Sequence, residues 1–377
     1  MRQNKKSLWV VMAFLLASII LGISIYETIP LYADISQLFN VSVYKAIQAS
    51  SAFSLGYALG FLTVGPLLER FNSRWLLLVS LNLVAIFSIL IGAINSFIWL
   101  LCLRLFQGIF SSFFAPIAFA SVWQLVSEKN IPMANSMITS GFVLASVFGQ
   151  LFSIIIYQYL GWQGVFNIQA ILLVFLAGIL FKIMPLIKVP SRHVRYIFAL
   201  KNIFTNKSLL KQYYVSFILL FSFVSMYSLL SINHLIATNQ LVLFRSYGLI
   251  GIILAIFSIS KMKNASKHSY LCFSLLIVVL GSVTLSFFKQ ESLLIVASIL
   301  FSFGIATALP LVVSNIGQIS EKEFRPIAVV MYTFVMFIGA TFGPIITNYL
   351  NQIANITTPF ILIAILMIIG AWLEKDF

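Results

Sequence analysis

Arg104 lies in Leu100-Leu101-Cys102-Leu103-Arg104-Leu105-Phe106-Gln107-Gly108, inside an apolar run. A guanidinium in hydrocarbon costs at least ~2.5 kcal/mol on insertion scales, so it calls for an interior position and a partner. It sits about seven residues into its run, roughly 10 Å at helical rise, so snorkelling to the headgroups stays open as the alternative. Glu27, in Ser24-Ile25-Tyr26-Glu27-Thr28-Ile29-Pro30, falls at a similar depth on a helix running the other way. Burial favours the neutral acid and a neighbouring arginine favours the carboxylate, so a glutamate held against an arginine can take up and release a proton. Gln107, one helical turn from Arg104, is a second acceptor within reach. Asp34 is seven residues beyond Glu27 and reads as an exposed cap or loop residue. No other acid falls inside a span, and the second half of the chain supplies none. The histidines, His193, His234 and His268, stand in three separate loops or span ends, and Cys102 and Cys272 stand alone in apolar runs. That spacing gives no metal site, no disulfide framework and no enzyme-like cluster at one depth.

The elements that must position these residues are membrane spans. The chain is 61% hydrophobic and 8% charged, where a soluble domain carries about 25% charged residues. The apolar runs are near the ~20 residues a helix needs to cross a bilayer and lack period-two alternation, so a helical bundle is expected rather than a barrel. Twelve spans are read, at about 8–30, 46–67, 75–94, 97–121, 134–158, 166–186, 212–232, 243–260, 269–288, 292–315, 325–349 and 356–373. The fold class expected is therefore all-α integral membrane, with twelve transmembrane helices in two pseudo-symmetric six-helix bundles. Residues 1–186 form the first half, 187–211 a central loop rich in Lys and Arg, and 212–377 the second half. A weak repeat supports this: Gly149 and Gly343 are 194 residues apart, as are Pro116 and Pro310.

The +14 net charge could suggest nucleic acid, but its bases are scattered over the loops. With both termini on one side, that side holds 19 of the 23 Lys and Arg, and the other side 3. By the positive-inside rule both termini and the central loop are cytoplasmic. The opening basic segment followed by a run past Ile20 reads as a retained first helix.

Gly65-Pro66-Leu67-Leu68-Glu69-Arg70-Phe71-Asn72-Ser73-Arg74 separates the second and third spans. It resembles the loop between helices two and three of the major facilitator superfamily, roughly G-x-L-x-D-R-x-G-R-R/K. Gly65, Leu67, Arg70 and Arg74 match and Glu69 keeps the acid. Asn72 replaces the second glycine, as the residue that next best tolerates a left-handed backbone, and Ser73 replaces a base. Arg104, Gln107 and Gly108 match that family's span-four pattern R-x-x-Q-G. Its antiporter pattern in span five is matched by Gly141 and Gly149, with Gln150 in place of the closing proline. Gly339 and Gly343 give a better copy in span eleven.

The resemblance, strongest over residues 20–170, is to the bacterial drug/proton antiporter branch. It implies alternating access by two six-helix halves, with a substrate site near mid-membrane. It implies proton-coupled export of a small amphipathic compound, a drug or metabolite, across the bacterial plasma membrane. On that reading Glu27 and Arg104 couple protons, and Gly65, Glu69, Arg70 and Arg74 form a conformational loop. Gln107, Phe113, Gln150, Tyr227, Tyr332 and Met336 are candidates for the substrate cavity. Gly108, Gly149, Gly339 and Gly343 let helices approach closely. The expected partners are a small-molecule substrate, protons and the lipid bilayer, with no nucleic acid, no metal and no cofactor, in a monomer. A metabolite uptake symporter or facilitator is the alternative, and a membrane-embedded enzyme or a receptor a remote one.

Overall fold

The computed structural model describes residues 2–127, 130–186, 203, 205–233, 241–260, 267–288, 290–321 and 324–375. Every regular element among them is helical, as the lack of water partners for a backbone inside hydrocarbon requires. The first span is α1 (Arg2–Tyr26), a 3-10 turn (Ile29–Leu31) and α2 (Tyr32–Leu38). Pro30 causes the break, because it has no N–H for the Tyr26 carbonyl. The ladder resets as 3-10, with Leu31 N–H donating to Thr28 O at 3.1 Å. The span therefore runs on to Leu38, beyond the end at residue 30 read from the sequence. Asp34 lies in the first turn of α2, half-buried, and accepts a hydrogen bond from Tyr157.

After α3 (Val43–Ala46) come α4 (Gln48–Arg70), α5 (Ser73–Ala93), α6 (Phe97–Ser111) and α7 (Phe114–Leu125). The last two form one span, interrupted at Ser112 and Phe113 because Pro116 cannot donate to the Ser112 carbonyl. Helix α8 (Ile131–Ile183) is two spans meeting at Gly161, whose φ of 66° and ψ of −167° are not helical. Glycine adopts that backbone without steric cost. Trp162 beside it anchors the bend, its indole N–H donating to Ile91 O of α5 at 3.0 Å.

The second half comprises α9 (Lys207–Ile232), α10 (Leu241–Ser260), α11 (Lys267–Phe287), α12 (Glu291–Ile319), α13 (Arg325–Ile353) and α14 (Thr357–Lys375). Helix α9 begins five residues before the sequence-based start, because Asn206 caps it: its side chain accepts from Ser208 N and Leu209 N. Lys207 and Lys211 thus belong to a helix, while residues 187–202 of the central loop lie outside the described residues. Among the described residues ten apolar segments are long enough to cross a membrane. The one spanning Met133–Ile183 divides at Gly161, and the shorter apolar helix Ser246–Ile259 completes a twelve-helix architecture.

The chain divides into two compact units, Met1–Arg192 and His193–Phe377. Each repeats one internal pairing scheme. In unit 1, α1 packs on α8, α4 on α6, and α5 on α8 and α6. In unit 2, α9 packs on α13, α10 on α12, and α11 on α14 and α12. Counted as spans, both units pair first with fifth, second with fourth, and third with sixth and fourth. The closest approaches are at glycines. A Cβ on Gly108 of α6 would strike Phe53 O of α4 and lie 2.8 Å from Tyr57 N, so no larger residue fits without separating the helices. Gly149 meets Ile23 of α1, and Gly339 and Gly343 meet Phe217 and Phe221 of α9.

Candidate functional site

Unit 1 encloses a network of polar side chains with no exposed surface, and Arg104 is its centre. Arg104 Nη1 donates to Glu27 Oε1 at 2.8 Å and to Gln107 Oε1 at 2.6 Å. Nη2 donates to Ser24 O at 2.7 Å and Nε to Ala49 O at 3.2 Å. The guanidinium carbon lies 4.5 Å from the centre of the Phe53 ring, a cation–π contact that covers one face. The break in α1 is what makes this possible. The last carbonyls of a helix point at no further turn, and the negative end of the helix dipole favours a cation there. Arg104 answers both through Ser24 O, while Glu27 comes immediately after the helix, its own N–H still bonded to Ile23 O at 2.9 Å.

The network extends through neutral groups. Gln107 Nε2 donates to Ser88 Oγ of α5 at 2.9 Å. Gln169, in the second part of α8, donates to Ser24 Oγ at 2.7 Å, and Ser88 Oγ reaches Gln169 Oε1 at 3.0 Å. The ion pair is thus tied to α1, α4, α5, α6 and α8. One atom stands out: Glu27 Oε2 is buried and has no hydrogen-bond partner among the described residues.

The residues singled out in the sequence fall in several places. Glu27, Arg104 and Gln107 come together. The Gln107 amide is committed at both ends, to Arg104 and to Ser88, so it braces the pair rather than lining a free surface. Phe113 sits at the α6–α7 break, edge-on to Phe110 at 5.8 Å. Gln150 is buried elsewhere on α8, donating to Ser146 O of its own helix at 2.7 Å. Tyr227 on α9 and Tyr332 on α13 are buried, and Met336 on α13 is half-buried.

In the 65–74 loop, Gly65 lies within α4, Arg70 is exposed, and the Glu69 side chain lies outside the described residues. Asn72 is extended rather than left-handed, with φ −69° and ψ 131°, and caps α5 by accepting from Arg74 N at 3.0 Å. Arg74 folds back on the end of α8, donating to Phe181 O and lying 4.7 Å from the Phe181 ring. Sequence reasoning missed Ser24, Ser88 and Gln169. It also missed Glu374, which lies at the end of α14 with 2% of its surface exposed; the expectation that the second half supplies no acid inside a span is corrected, because the last apolar segment runs Thr357–Glu374. A glutamine in the apolar setting of span six was the available signal for Gln169.

Two compact units of apolar helices among the described residues, the first holding a buried ion pair, make a multi-pass membrane protein. The model of the Major Facilitator Superfamily matches residues 12–289 and 242–375, and the chain belongs to that superfamily. A probable sugar efflux transporter of Pasteurella multocida is 22% identical over 91% of this chain and 85% of its own length. A bicyclomycin resistance protein homolog of Haemophilus influenzae is 24% identical over 44% of this chain, and the chain spans 41% of that relative's length. Among solved structures, a bacterial homolog of the human lysosomal transporter Spinster, inward-facing and occupied, superposes with a TM-score of 0.76 at 16% identity. That match covers 98% of this chain and 96% of the other, and establishes the fold.

Proposed function

We propose that this chain is a proton-coupled exporter of a small amphipathic compound, working by alternating access in the bacterial plasma membrane with both termini cytoplasmic. Residues 1–186 and 212–377 are its two working halves, 187–211 the cytoplasmic connection, and a monomer suffices. The observation that carries the reading is the Glu27 carboxylate, buried against Arg104 with Oε2 unpartnered. A carboxylate oxygen without a partner in a low-dielectric interior is a place for a proton. When Glu27 is ionised the pair is neutral. When it takes a proton, Arg104 keeps Gln107 Oε1, Ser24 O and Ala49 O, so the cation stays bonded. Proton uptake therefore needs no large movement of Arg104; it changes the charge of the site and loosens Glu27. The charged 65–74 loop biases the conformational balance toward one access state. Export is the direction that fits one relative named for efflux and another named for resistance.

The test is an imposed pH gradient across proteoliposomes. Wild type dissipates it on addition of a transported cationic dye, and Glu27→Gln binds the dye but leaves the gradient intact. Dye-dependent proton flux at the wild-type rate in Glu27→Gln eliminates Glu27 as the carrier.

A further inference from the structure

Arg104 Nη1 serves two acceptors at once, Glu27 Oε1 at 2.8 Å and Gln107 Oε1 at 2.6 Å. Nε and Nη2 are held by the backbone carbonyls of Ala49 and Ser24, which α4 and α1 fix in place. Once Glu27 takes a proton and loosens, Nη1 depends on Gln107. Gln107 is a side chain whose amide can turn, so its orientation has to be held from the other end.

Arginine has donors only, so the atom of Gln107 that faces it is the carbonyl oxygen. The amide nitrogen must then find an acceptor behind it, and meets Ser88 Oγ of α5 at 2.9 Å and Gln169 Oε1 of α8 at 3.5 Å. A hydroxyl both donates and accepts, so Ser88 by itself would suit either end of the Gln107 amide. Gln169 makes the choice one-sided. Its oxygen receives the Ser88 hydroxyl at 3.0 Å and stands toward the Gln107 nitrogen, while its own nitrogen donates to Ser24 Oγ at 2.7 Å. The Ser88 hydrogen has Val84 O of its own helix as a second acceptor at 2.9 Å. With its hydrogen on either oxygen, Ser88 offers Gln107 a lone pair. Ser24 closes the circuit, because its backbone carbonyl receives Arg104 Nη2. All of these side chains are fully buried, where a donor set against a donor costs the full desolvation of both.

We propose that Gln169 and Ser88 are positioning residues for proton coupling: they hold the Gln107 carbonyl on Arg104 Nη1, so that the cation stays satisfied while Glu27 carries its proton. The proposal rests on the reading of Glu27 as the proton carrier. Both residues act through Gln107. The sixth span, which supplies Gln169, thereby joins a site whose ion pair belongs to the first and fourth. Without Gln169 or Ser88 the amide is free to turn, an N–H can come to face the guanidinium, and protonation of Glu27 leaves Nη1 short of an acceptor. The protonated state is then harder to reach and turnover falls, while groups that contact cargo are untouched.

The experiment is dye-dependent proton flux in proteoliposomes, expressed per folded protein, with wild type beside Gln169→Met, Ser88→Ala, Gln107→Met and the double variant Gln107→Met/Gln169→Met. Methionine keeps the length of glutamine and removes both polar ends. Gln169→Met and Ser88→Ala should each lower kcat about tenfold, the order expected for one hydrogen bond missing from a required state. The KM for the dye should stay within about twofold of wild type, a split that general loosening of the fold would not produce. Gln107→Met should lower kcat at least as far, and adding Gln169→Met to it should cost nothing more, because Gln169 then has no amide to hold. Should Gln169→Met not yield folded protein, Ser88→Ala alone and combined with Gln107→Met gives the same comparison. Wild-type kcat in the single variants, or losses that multiply in the double variant, overturn the proposal while leaving Glu27 as the carrier. Wild-type flux in Glu27→Gln, measured alongside, overturns the coupling reading itself and this proposal with it.

Discussion

Replacing Arg104 by Met keeps its bulk and removes its charge. Four acceptors lose a donor: Glu27 Oε1, Gln107 Oε1, Ser24 O and Ala49 O. Breaking a buried ion pair by removing one member costs about 3–5 kcal/mol, chiefly through the charge left behind. Glu27 can escape by taking a proton. At pH 7, starting from an ordinary carboxyl value near 4.3, that costs about 3.7 kcal/mol at about 1.36 kcal/mol per pH unit. The charge penalty is therefore capped near that figure and falls to about 1 kcal/mol at pH 5. Glu27→Gln is milder, about 1–2 kcal/mol, since Arg104 keeps three other acceptors and the amide oxygen is a fourth. The double variant leaves no buried ion at this site and should recover part of the Arg104→Met loss. Denaturant titration of purified protein at pH 5 and 7.5 reads all of this. An Arg104→Met penalty independent of pH, or a double variant as unstable as the sum of the singles, would refute the reasoning.

Arg74→Ala should lower stability by about 1 kcal/mol by leaving Phe181 O without its donor, whereas Arg70→Ala, exposed, should leave the melting midpoint unchanged and reduce only transport; equal melting losses would contradict the separation. Gly161→Ala should destabilise by about 1–2 kcal/mol because of its left-handed φ, although nothing lies within 4 Å of the added methyl. Gly178→Ala, equally open but within a helix, should be neutral or stabilising by up to about 1 kcal/mol, and thermal melting distinguishes the two. Reporter fusions after Gln212 and Phe377 should report the cytoplasm, and an external signal at either would reverse the orientation.

Hydropathy made the spans legible, because an apolar helix must be long enough to cross and its loops must be polar. Charge made Glu27 and Arg104 legible as a pair, because an isolated ion in hydrocarbon is too costly to leave unexplained. The neutral braces were hidden. Ser24 and Ser88 are two among many buried serines, several of which bond only their own helix, and nothing in sequence tells a brace from these. Glu374 was hidden by its place at the last turn, where composition reads as the start of water. The glycine replaced by Asn72 suggested a left-handed turn, but asparagine can instead cap the next helix, and that local bond decided its backbone. The extension of the first span past Pro30 was masked by the proline, which here resets a helix rather than ending it.

All three nitrogens of Arg104 are engaged and one of its faces is closed by Phe53. It therefore has little to offer a passing anion, although it is an intramembrane cation fixed in place. The group this site leaves open is an acceptor, Oε2 of Glu27. Cargo that competes for the site would do so with a donor or a positive charge, in the same role as the proton. Selectivity against anionic cargo would then come from an arginine already occupied, and the same bonds that stabilise the fold would set which compounds the protein refuses.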